Sequence, residues 1–94
     1  MKNRIYADFS KLDDEGLLIL SCRQSAADLL AMKEELHDGA SVIFYMDDEI
    51  VDGIEYELET DGVLVRDEGR QQWLGRYDNR VFRHGIPRPI DSPQ

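Results

Sequence analysis

A chain of 94 residues, 41% hydrophobic and 33% charged, is long enough to bury one core and too apolar to stay disordered. Its formal charge of −9 repels phosphate backbones and anionic lipid surfaces, which argues against nucleic acid or a membrane as partner. The longest apolar runs, at 17–20 and 42–46, fall far short of the ~18 residues that span a bilayer; with no apolar signal segment at the start and one cysteine, a soluble cytoplasmic protein without a disulfide is expected.

Taken in chain order, residues 5–9 alternate and suit a short strand, Asp13-Asp14-Glu15-Gly16 suits a turn, and the apolar stretch 17–22 suits a second strand. The two are expected to pair as an antiparallel hairpin. Ser25 then caps a helix, with Asp28 three residues on completing a capping box. Leu29, Leu30 and Leu36 form its inner stripe, and Gly39 is the expected left-handed stop after Leu36–His37.

Everything beyond Gly39 reads as β-structure. Residues 41–46 are β-branched and aromatic, Asp47-Asp48-Glu49 suits a turn, and Ile54, Tyr56 and Leu58 alternate with Glu55, Glu57 and Glu59 as a half-buried strand. Asp61-Gly62 is a strong two-residue hairpin signal. A turn there sets Glu57 opposite Arg66. Glu68-Gly69 offers another turn before a strand over 71–77, in which Trp73 is expected inside because an aromatic gains more from burial than Leu74. Gly53 and Gly75 fall inside expected strands, where they imply bulges or close backbone approach. Val81 and Phe82 pack back as a short last element.

From Leu36-His37-Asp38-Gly39 onward the layout resembles an SH3-like small barrel: a glycine-marked entry, turn-linked strands and a late tryptophan. The resemblance covers residues 36–80, and the chain is also similar to small uncharacterised bacterial proteins of this size. It implies no proline-rich-peptide binding, since Tyr45, Trp73 and Tyr77 are the sole candidates for the exposed aromatic cluster such binding needs. The expected fold is therefore α+β: a curled antiparallel β-sheet or SH3-like small barrel with one α-helix, in the order β-β-α-β-β-β-β. It occupies residues 1–84, with a proline-containing extended or disordered tail at 85–94.

Charge is segregated along the chain. Between Lys33 and Arg66 there is no Lys or Arg but eleven acids, whereas residues 61–94 hold six Arg and five acids. Such an acidic surface selects a partner by charge. The residues expected to carry it are Asp47, Asp48, Glu49, Glu55, Glu57 and Glu59, with Arg66 and Arg76 folding over part of the glutamate row.

Signals for chemistry are sparse. Cys22 beside Arg23 has no nucleophile signature around it and reads as a small hydrophobe at a strand end. His37 suits a helix C-terminus, and two histidines with one cysteine do not supply the four ligands of a zinc site. The acidic turn lacks the spacing of a calcium loop. No catalytic residue, metal or cofactor is expected.

The reading is a non-enzymatic protein–protein interaction module whose partner carries a basic patch. One alternative is an immunity- or antitoxin-type inhibitor of a basic toxin or nuclease; another is a weak divalent-metal binder or hydrolase using the acidic turns. The chain is expected to be a monomer, or a homodimer through an uncovered edge strand near residues 42–45.

Overall fold

The computed structural model describes residues 2–51, 53–77, 82–84 and 88–89; the side chains of 48–51, 55, 84, 88 and 89 lie outside that description. The architecture is α+β, with one α-helix on a mixed sheet. The strands are β1 (Asn3–Tyr6), β2 (Leu18–Ile19), β3 (Ser41–Val51), β4 (Ile54–Asp67), β5 (Gln72–Tyr77), β6 (Arg83–His84) and β7 (Arg88–Pro89); the helix α1 is Arg23–Met32, followed by a 3-10 turn, Lys33–Glu35.

The sheet is open rather than closed into a barrel, and its main path runs β1-β3-β4-β5-β2. β1 and β2 do not form the expected hairpin. β1 lies parallel to β3 and β2 antiparallel to β5, so they end at opposite edges of that path. A local loop survives between them, where Leu12 bridges Leu18 and Asp13 accepts the N–H groups of Glu15 and Leu17. The segment 42–45 is no edge either: β1 pairs with one side of it and β4 with the other.

β3 and β4 form one long hairpin that closes at the paired Val51 and Ile54. Gly53 sits at φ 76°, the left-handed conformation that a tight hairpin needs. Asp61-Gly62 is therefore not a turn but mid-strand, with Gly62 opposite Val42 on one side and Tyr77 on the other. The reason is packing. A Cβ on Gly62 would stand 2.6 Å from the Phe44 ring, and one on Gly75 only 2.5 Å from it, so both glycines make room for that ring. Asp47-Asp48-Glu49 likewise belongs to a strand, at a β-bulge between Asp47 and Glu49.

The core is built around Phe44, Ile5, Leu18, Leu64 and Val42, all 0% exposed, and α1 adds Leu29 and Met32. The helix begins earlier than its sequence suggests, at Arg23 after Cys22, and no side chain caps it. Ser25 is instead fully buried and donates to the Tyr6 carbonyl, while Leu30, assigned to the inner stripe, is 75% exposed. Gly39 does take the left-handed conformation, at φ 87°, but four residues beyond the end of the 3-10 turn; His37 is exposed there, its Nδ1 beside the Asp38 carbonyl.

Four residues connect β4 to β5, since Asp67 pairs with Gln72. That register sets Trp73 opposite Arg66, whose guanidinium lies 5.2 Å from the ring centroid. Trp73 is half-buried against the core edge, and Leu74 is the more buried of the two. A cation over an indole gains electrostatically, which offsets part of the exposure.

Candidate functional site

Alternation puts Arg4 and Tyr6 of β1, Tyr45 and Asp47 of β3, and Glu57, Glu59 and Asp61 of β4 on the sheet face away from Phe44. Glu57 and Glu59 belong to the glutamate row expected from the sequence, but these two do not form an open acidic surface. Glu57 and Glu59 are 7% and 8% exposed. Arg4 reaches across β3, its guanidinium 4.8 Å from the Tyr45 ring centroid, and donates to both: Nη2 to Glu57 and Nη1 to Glu59 at 3.0 Å. From the other flank Arg83 Nε donates to Glu59 Oε1 at 2.9 Å. Glu59 is thus held between two guanidiniums.

Among the described residues, the cations that answer Glu57 and Glu59 are therefore Arg4 and Arg83, not Arg66 and Arg76. Arg66 faces Trp73, Glu68 and Gln71 instead. Glu57 pairs across the sheet with Asp47, not with Arg66. Arg4 lies more than fifty residues from its partners in sequence, so no local pattern announces the pairing. Arg83 also meets Asp61 through Nη1 and Nη2, both at 3.3 Å, and these contacts hold the Asp61 carboxyl below its ordinary range.

Beside this network, between α1 and β1–β3, lies a cleft of about 460 Å³. Asp28 organises it. Its carboxylate accepts the Tyr6 N–H at 2.9 Å, the Tyr45 hydroxyl at 3.0 Å and Gln24 Nε2 at 2.9 Å. Asp28 is thus a bolt between α1 and the sheet edge rather than a capping-box member. The rings of Tyr6 and Tyr45 meet edge to face, with centroids 5.6 Å apart. Arg4, Asp47 and Glu57 complete the lining, which carries three acids against one cation.

Burial, and then the bond to Asp28, push the Tyr45 hydroxyl up to about 12 from 10.0. Because the folded value is raised, the stabilisation is complete below the ordinary tyrosine range and fades as pH rises from about 10 to about 12. In an ultraviolet phenolate titration, the component with its midpoint near 12 is expected to vanish in Tyr45→Phe. Identical titration curves for the two proteins would refute the assignment.

Of the six residues expected to form the site, Asp47 lines this cleft, Glu57 joins the cleft to the ion network, and Glu59 is fixed inside that network. The side chains of Asp48, Glu49 and Glu55 lie outside the described residues. The sequence places neither Asp28 nor Tyr6 in a site and marks Tyr45 only as an exposed aromatic; the spacing of Asp28 from Ser25 points to capping instead. A broader hollow of about 780 Å³ near the 3-10 turn is rimmed by exposed Lys2, Glu34, Glu35 and His37, and so selects neither sign of charge. Among the described residues, no three His, Cys, Asp or Glu side chains come together as a metal-holding group, and no helix is long and apolar enough to cross a membrane.

No protein-family model, no curated protein and no solved structure matches the chain.

Proposed function

We propose that the chain is a non-enzymatic, cytoplasmic interaction module that recognises a cationic segment of another protein, with the Asp28–Tyr45 cleft as its recognition surface. The observation that carries this reading is the cleft's construction. Its central carboxylate is fixed by three donors, its walls are tyrosine rings, and its rim is acidic. A positioned carboxylate beside aromatic surface suits an arginine or lysine side chain, which brings both charge and an apolar stem. The chain's net charge of −9 speeds the encounter with such a partner.

The test is calorimetric titration of the full chain with a hexa-arginine peptide at low salt. Asp47→Lys reverses one charge at the cleft rim and is expected to weaken binding about fivefold, an effect that high salt diminishes. Equal affinity for the wild type and Asp47→Lys would remove the cleft as the recognition surface.

A further inference from the structure

β4 is long enough that β5, β6 and β7 dock in succession along the edge opposite β3. β6 and β7 are two residues each, and Pro89 in β7 has no N–H to give to the ladder. At β6, Arg83 pairs with Glu59 and its guanidinium forks onto Glu59 and Asp61. The preceding residue, Phe82, lies against Phe9 and Tyr77 with centroids 5.1 and 5.4 Å away, in an apolar recess of about 270 Å³ that Leu12 and Leu58 also line.

This arrangement is held from the receiving side. Arg4 fixes Glu59 from the opposite flank, and Lys2 reaches Asp61 at 3.5 Å, so both carboxylates keep a partner without Arg83. Arg83 itself is 43% exposed, and Phe82 39%. The exposed pair with Asp61 and a two-residue strand hold weakly, and Glu59 keeps Arg4 when Arg83 leaves, so a competing segment can displace them.

We propose that the outer edge of β4 at residues 58–61 is a docking groove for an extended segment of a partner protein with an aromatic residue next to an arginine, and that Phe82-Arg83 is its displaceable internal stand-in. The segment adds a strand antiparallel to β4, places its arginine on Glu59 and Asp61, and puts its aromatic ring in the recess beside Phe9 and Tyr77. The inference rests on the reading of the chain as a module for cationic protein segments and gives that recognition a second surface.

The probe is a fluorescent peptide with the sequence of residues 80–86, titrated into the full-length protein and read by anisotropy. Removing the internal competitor raises the fraction of open grooves, so Arg83→Ala is expected to bind the peptide about fivefold more tightly than wild type. Arg83→Lys, which keeps the charge, should stay near wild type. A peptide whose own arginine at position 83 is replaced by alanine should lose the gain. Arg83→Gln gives the same reading should alanine loosen the fold. Equal affinity for wild type and Arg83→Ala overturns the proposal, as does absence of binding to both. Dimerisation of Arg83→Ala without peptide uptake also overturns it, since the occupant is then a second copy. The cleft and the groove fail separately: an Asp47→Lys effect without an Arg83→Ala gain leaves the cleft and removes the groove, and the reverse result does the opposite.

Discussion

Phe44→Ala is expected to lower the free energy of unfolding by roughly 3–5 kcal/mol, measured by urea denaturation. Phe44 is 0% exposed at the centre of β3, and its ring occupies the space left by the absent side chains of Gly62 and Gly75. The two glycines give the experiment its internal control. The three nearest neighbours of a Cβ on Gly75 are atoms of the Phe44 ring, whereas a Cβ on Gly62 would also meet the backbone carbonyl of Arg76. Alone, Gly75→Ala and Gly62→Ala are each expected to cost about 1–3 kcal/mol from overpacking. In the Phe44→Ala background the Gly75 substitution should become much cheaper, because the clashing ring is gone. The Gly62 substitution should stay costly, because backbone does not yield. Additivity to within about 0.5 kcal/mol for the Phe44–Gly75 pair would mean that the ring is not what the glycine accommodates.

The same pair of glycines shows what local sequence could and could not convey. Of the chain's three Asp-Gly dipeptides, those at 52–53 and 61–62 lie nine residues apart, and both carry the chemistry of a hairpin turn. The choice between them depends on Phe44, whose ring needs a bare backbone at Gly62, and that is a fact about a neighbouring strand. Gly53 and Gly75 both read as bulges or close backbone approaches; Gly75 is a close approach, and Gly53 is the left-handed turn residue. The α+β class and the strand-helix-strand sequence were legible because hydrophobic periodicity is local. The sheet order was not. The partners of β1 and β2 lie at opposite edges, and nothing within residues 3–19 encodes which distant strand each one meets. Ser25 and Asp28 illustrate a second limit. Their spacing suits a capping box, yet Ser25 donates to the Tyr6 carbonyl and Asp28 accepts the Tyr6 N–H, which ties off polar groups of β1 that would otherwise be unpaired. For the candidate site, the sequence placed Glu57 and Glu59 on one face but not the arginine that crosses β3 to reach them.

Arg4→Ala is expected to destabilise the fold by about 2–3 kcal/mol at neutral pH. The side chains of Glu57 and Glu59 are only 10% and 11% exposed, and Arg4 is the cation that bridges them. Removing one member of a buried ion network leaves charge in a poorly solvated place, at a typical cost of ~3–5 kcal/mol; the 32% exposure of Arg4 puts the expectation below that range. Two variants separate the contributions. Arg4→Met keeps an unbranched stem over the Tyr45 ring and removes the charge, so its cost is mainly electrostatic. In a Glu57→Gln, Glu59→Gln background, Arg4→Ala should cost no more than about 1 kcal/mol, because little charge remains to compensate. High salt should change these values little, since the network is shielded from the ions that screen surface charges. The magnitude also decides where a partner can bind. A cost of about 2 kcal/mol or more means that Arg4 stays on Glu57 and Glu59, so that a partner's cation reaches Asp28 and Asp47 in the cleft, or Asp61 and the oxygen of Glu59 that Arg83 holds in the groove. A cost below about 0.5 kcal/mol would instead be typical of a solvated surface pair, and Glu57 and Glu59 would themselves become the recognition surface.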